Sequence, residues 1–149
     1  MRDALIPIIL TALVLPCLPL AAGSAVAQTA PAFTVAGTDA AQVTAFLKCL
    51  QSSVSLGNRL KVASLVDFPL KVWLDGEETV LANESEFQAR YSRIFDAAMK
   101  KAIAEAKVDT LVANQQGVMF DNGRIWFRPV AEHKNAMKIV AINDPNQPR

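Results

Sequence analysis

The chain is poor in the residues that carry metal and nucleophile chemistry. Its 149 residues include one His, two Cys and one Tyr. Cys17 lies in an N-terminal apolar stretch read below as a removable signal, which leaves Cys49 alone. A zinc site built from Cys and His within one chain is thereby excluded, as is an intrachain disulfide. An excess of one charge is also missing, with 15 basic and 14 acidic residues. Removing Arg2 and Asp3 with the signal leaves 14 and 13. Near neutrality there is no bulk reason to expect nucleic acid or an anionic membrane as partner. There is no internal repeat, low-complexity tract, charge run, glycine-rich phosphate loop, Ser-His-Asp grouping or metal-ligand spacing, and no cofactor is expected. A hydrophobic fraction of 52% argues against disorder, although the signal inflates it.

What is present begins with an export pattern. Arg2 gives a short positive start, and Ala4 to Leu15 form the apolar segment. Small residues follow, ending Gly23-Ser24-Ala25-Val26-Ala27, and Ala25-x-Ala27 is what a signal peptidase reads. Cleavage is expected between Ala27 and Gln28. Pro7, Pro16 and Pro19 suit a transient signal better than a membrane span of about 20 apolar residues. A lipid-bearing cysteine normally follows a small residue, whereas Cys17 follows Pro16. The reading is thus a signal over 1–27, a flexible leader over 28–37, one domain over 38–143 and a loose tail over 144–149. The domain, in a mature chain of about 122 residues, is large enough for a real core. Location is expected to be periplasmic or secreted, with membrane contact only through the signal before cleavage.

Within the domain, Asp39 starts a helix carrying Val43, Phe46, Leu47 and Leu50 at helical spacing. Cys49 on that helix reads as a small apolar residue rather than a reactive thiol. Gly57-Asn58 ends the pattern, and a short helix is predicted from Arg59 to Val66. Phe68, Leu70, Val72 and Leu74 then alternate with Lys71 and Trp73 up to Asp75-Gly76, a hairpin signal. A two-residue loop there pairs Leu74 with Glu77, Trp73 with Glu78, Val72 with Thr79, Lys71 with Val80 and Leu70 with Leu81. Asn83 and Glu86 form a capping box for one long helix to about Ala106. Its stripe is Phe87, Tyr91, Ile94, Phe95, Ala98, Ala102, Ile103 and Ala106. Asn122-Gly123 marks a second hairpin, pairing Phe120 with Ile125, Val118 with Phe127, Met119 with Trp126 and Asp121 with Arg124. A last strand covers Met137 to Ile142. Helices and strands do not alternate one by one, so the class is α+β with a mainly antiparallel sheet around the long helix.

This order resembles the nuclear transport factor 2-like (cystatin-like) fold, and more narrowly a group of small secreted bacterial proteins of that fold. The resemblance rests on Phe68-Pro69-Leu70-Lys71-Val72 with Asp75-Gly76, and on Glu86-Phe87 through Tyr91 to Ile94-Phe95. It rests also on Gly117-Val118-Met119 with Gly123-Arg124-Ile125-Trp126-Phe127, and on Ala141-Ile142-Asn143. It implies a bent sheet curled around a long helix into a cone. It implies no activity, because the fold hosts isomerases, cyclases, dehydratases, ligand binders and interaction modules alike.

Enzymes of that fold place an acid or base, and sometimes a Tyr donor, inside the cone. Here Tyr91 and Asp96 are the catalytic candidates, with Asp67 and Asp109 behind them. Tyr91 lies in the apolar stripe and would donate to a bound carbonyl. Asp96 lies near the stripe's edge, where exposure is expected. Asp67 is expected to end the short helix, and His133 to sit in the open turn Glu132-His133-Lys134-Asn135. Trp73, Met119 and Trp126, with Arg124 and Arg128 near them, lie opposite the aliphatic rows and have the composition of an interface or pocket lining. No metal site is expected. The leading expectation is an exported, non-catalytic module binding a small apolar ligand or a protein partner, or dimerising through that face. The alternatives are a cone-pocket isomerase or lyase acting next to a carbonyl, and a periplasmic inhibitor or immunity protein.

Overall fold

The computed structural model describes residues 32–144. The expected signal, its Ala27–Gln28 cleavage point, Cys17 and most of the tail lie outside the described residues.

The chain is an α+β protein. Four helices, α1 (Ala40–Ser55), α2 (Arg59–Ser64), α3 (Glu84–Ile94) and α4 (Ala97–Glu105), pack with six strands. These are β1 (Val66–Leu74), β2 (Glu77–Leu81), β3 (Val112–Asn114), β4 (Gly117–Phe120), β5 (Ile125–Val130) and β6 (Ala136–Ile142). The sheet is open and mixed, in the order β2-β1-β6-β5-β4-β3. Four neighbouring pairs are antiparallel, while β1 and β6 run parallel.

Both hairpins adopt the registers that their alternation dictates. All five β1–β2 pairs expected from Asp75-Gly76 form, and Lys71 Nζ reaches Glu78 Oε1 at 3.2 Å. Asp75 and Gly76 both have positive φ, as the tight primed turn requires. The β4–β5 ladder pairs Val118 with Phe127, Met119 with Trp126 and Phe120 with Ile125. Its loop is wider than two residues, because Asp121 already adopts φ 52°. Asp121 therefore leaves the ladder and meets Arg124 as an ion pair at 3.3 Å.

The alternation also settles which face is inward. Leu70, Val72, Val118, Ile125 and Phe127 are fully buried, and Phe46 of α1 stacks on Phe127 with ring centroids 4.7 Å apart. The opposite, outer face carries one cross-strand row through all six strands: Val80, Lys71, Ala141, Trp126, Met119 and Val112.

One expectation is corrected. The helix from Asn83 does not run to Ala106 but breaks at Phe95–Asp96. Phe95 leaves helical geometry with ψ 63°, and Asp96 starts α4 by accepting the Met99 N–H at 2.7 Å. An unbroken helix would have turned Ala98 and Ala102 inward. The break resets the phase, so Phe95, Met99 and Ile103 are buried and Ala98 is exposed. Each large apolar side chain so buried contributes about 1.5–3 kcal/mol, far more than an alanine offers. Gln51 of α1 then caps the far end of α4, donating to the Ile103 and Ala106 carbonyls at 2.9 and 3.0 Å.

Smaller differences follow the same logic of burial. Residues 32–37, the described part of the expected leader, pack on the domain: Phe33–Ala36 form a 3-10 turn and Phe33 is buried in the core. Asp67 lies in β1 and does not end α2. The capping residues expected at Asn83 and Glu86 both act, although the Glu86 carboxylate accepts from Ala82 N–H.

Candidate functional site

Three of the residues singled out from the sequence meet at one end of the sheet. Trp73, Asp96 and Arg124 line a cavity of about 330 Å³, together with Leu74, Asp75, Arg93, Ile94, Met99, Ile142, Asn143 and Asp144. It lies where β1 and β6 end, β5 begins and the chain breaks between α3 and α4. That size is at the lower end of small-molecule pockets. Leu74, Ile94, Met99, Ile142 and the Trp73 indole supply its apolar part.

Its polar groups are mostly engaged by the fold. Arg93 pairs with Asp75 across from the first hairpin, and Arg124 pairs with Asp121. Asn143 donates to the Gly123 carbonyl at 3.0 Å. Asp96 spends one carboxylate oxygen on the α4 N-terminus, where an anionic cap is favoured. Trp73 Nε1 is the exception, a buried donor with no acceptor among the described residues.

Tyr91 does not line this cavity. It is 2% exposed within a cluster of rings, stacked on Phe95 at 4.8 Å and edge-on to Phe87 at 5.9 Å. The Arg59 guanidinium lies 5.1 Å from its ring centroid, a cation–π distance. The Tyr91 hydroxyl is buried and has no hydrogen-bond partner among the described residues. Burial pushes its pKa above the ordinary value of 10.0, with the Arg59 charge acting in the opposite direction.

Met119 and Trp126 are cross-strand partners on the outer face, Met119 half-buried and Trp126 buried. Arg128 is exposed and lines a different cavity, at the opposite end of β1, β6 and β5. Asp109 is exposed in a 3-10 turn. Cys49 is a half-buried free thiol on α1. Sequence reasoning had no signal for one juxtaposition. Asp67 and His133 are 66 positions apart and lie 3.2 Å from each other, because the parallel β1–β6 pairing brings the start of β1 beside the β5–β6 turn.

Among the described residues no three His, Cys, Asp or Glu side chains are grouped to hold a metal ion. Among them, too, no helix is long and apolar enough to cross a membrane. Comparisons with protein-family models, with curated proteins and with solved structures find no match. The fold and site thus define an α+β protein with a small cavity of mixed polar and apolar lining at the end of a mixed sheet.

Proposed function

We propose that the protein is an exported, non-catalytic binding module that takes a small ligand with both a polar and an apolar part in the cavity beside Trp73, Ile94, Met99 and Ile142. The observation that carries this reading is that cavity, where apolar side chains from both sheet and helices and an indole lie beside the polar groups of Asp75, Arg93, Asp96, Arg124 and Asn143. The commitment of Asp75, Arg93, Asp96 and Arg124 to ion pairs and a helix cap supports binding over proton transfer. The nuclear transport factor 2-like cone is part of the proposal. It is supported by the succession of two helices, a hairpin, a helical segment and the remaining strands, although the helical segment is broken. Export to the periplasm or beyond rests on the sequence of residues 1–27.

The isomerase or lyase reading needs Tyr91 as donor and Asp96 as base. It would require Asp96 to release the Met99 N–H and the Tyr91 hydroxyl to reach a substrate from within its ring cluster. The inhibitor or immunity reading needs a protein bound through the hairpin turns or Arg124.

Native mass spectrometry of the mature protein purified from its own host tests the proposal. The expected result is a small adduct that survives gentle ionisation and is lost in Trp73→Ala. A bare chain that takes up nothing from a host metabolite extract would count against it. A complex with another protein would favour the inhibitor reading.

A further inference from the structure

The cavity at the other end of β1, β6 and β5 is a separate site of about 480 Å³. Its walls are Asp67 and Phe68 at the start of β1, Arg128, Pro129 and Val130 at the end of β5, and Ala131, Glu132 and His133 in the following turn. The β1–β6 register shifts between Val66 and Lys71, so this part of β1 is not laddered continuously to its neighbour. The turn is fixed by hydrogen bonds from Lys134 N–H to the Ala131 carbonyl and from Asn135 N–H to the Val130 carbonyl.

His133 Nε2 lies 3.2 Å from Asp67 Oδ1. An ionised carboxylate can only accept, so in the neutral imidazole Nε2 carries the proton and Nδ1 keeps its lone pair. Arg128 can only donate, through a planar fork that fits a carboxylate. Among the described residues neither the Arg128 nor the Glu132 side chain has a hydrogen bond or an ion pair. The nearby Lys138 is engaged on the Ser64 carbonyl at 2.6 Å. The groove therefore offers a free donor fork, free acceptors in His133 Nδ1 and Glu132, and apolar walls in Phe68, Pro129 and Val130.

We propose that this groove binds a small carboxylic acid that carries a hydroxyl or amino donor beside the carboxylate and an otherwise apolar body. Arg128 holds the carboxylate, His133 Nδ1 accepts from the donor, and Asp67 is the positioning residue that sets the imidazole tautomer. No bond is made or broken. The site is independent of the sheet-end cavity, so either can fail without the other.

The test is nuclear magnetic resonance on the full mature protein, whose single His gives one imidazole to follow. Where the imidazole is neutral the Nε2–H tautomer is expected, changing to a mixture in Asp67→Asn. A wild-type Nδ1–H tautomer would overturn the proposal before any ligand is added. Titration then compares mandelate and phenylglycine with phenylacetate, which lacks the donor. Saturable shifts at His133 are expected, with at least one donor-bearing acid binding about 2- to 10-fold tighter than phenylacetate. Asp67→Asn should remove that difference. Arg128→Gln should weaken all three by about tenfold or more, with the shifts of the core methyl groups unchanged to show that the variant is folded. Absence of saturation at His133, equal binding of all three acids, or indifference to Arg128→Gln would each overturn it. Preference for mandelate or for phenylglycine names the donor.

Discussion

The two ends of the β1-β6-β5 ribbon differ in how their polar groups are employed. At the end where β1 and β6 finish, Asp75, Arg93, Arg124 and Asp96 hold one another, a hairpin loop or a helix terminus. At the end where they begin, the Arg128 and Glu132 side chains hold nothing among the described residues, and His133 is engaged through one nitrogen. The contrast separates architecture from recognition. Side chains that the fold uses are poor candidates for chemistry even in a cavity, whereas uncommitted donors and acceptors in a groove are available to a ligand. The same reasoning assigns the far groove its ligand through hydrogen bonds.

Thermodynamic substitution can break this comparison. The largest effect is expected in the interior that joins the two ends. Phe87 is fully buried between Phe68, which lines the far groove, and Phe95, which precedes the α3–α4 break. Phe87→Ala should cost about 3–5 kcal/mol, read from the denaturant midpoint, and should disturb both cavities. A cost under about 1 kcal/mol would mean that the ring cluster does not hold the ends together.

Next comes Tyr91, where removal of a group is expected to help. Its buried hydroxyl has no partner among the described residues, and an orphaned polar group costs about 1–3 kcal/mol. Tyr91→Phe should therefore leave stability unchanged or raise it by about 1 kcal/mol. Its folded-state pKa is raised by burial, so above about pH 10 the unfolded chain loses this proton before the folded one does. Stability from Tyr91 is therefore complete below pH 10 and falls as pH rises toward the folded value. Thermal melts from pH 9 upward should show that decline in the wild type and less of it in Tyr91→Phe. A Tyr91→Phe variant destabilised by more than about 1 kcal/mol would reveal a hydrogen bond at the hydroxyl.

Asp96 should behave as a cap. Asp96→Ala is expected to cost about 1 kcal/mol and Asp96→Asn much less, since Asn also caps well. Equal costs would contradict the capping role. At the far end, Arg128→Gln and Glu132→Gln should each change stability by less than about 0.5 kcal/mol. A larger loss would show that the fold uses these groups after all, and the contrast between the ends would collapse.

Sequence reasoning reached what short-range pattern controls. The period-2 rows beside Asp75-Gly76 and Asn122-Gly123 dictated both registers, and Asp39 and Asn83 announced their helices. The break at Asp96 was obscured because Phe95-Asp96-Ala97-Ala98 contains no Gly or Pro. The signal lay in Asp96 itself, a good N-cap, and in the mismatch between an alanine stripe and the bulkier Met99. Strand β3 is three residues long, too short for any periodicity to register. Of the site, Trp73 and Arg124 were grouped from the sequence, but Asp96 was not placed beside them. Their meeting depends on the helix break and on the parallel β1–β6 pairing. Asp67 and His133 depend on that same long-range pairing, which no local motif encodes.

The two tryptophans allow the central claim to be tested most directly. Trp73 lines the sheet-end cavity, whereas Trp126 lies in the outer-face row. Their indole N–H resonances can be followed while a small-molecule extract of the host is added to the ¹⁵N-labelled mature protein. The account predicts that the Trp73 signal shifts and the Trp126 signal stays in place. Movement of Trp126 alone, or of neither, would contradict a ligand site at the end of the sheet.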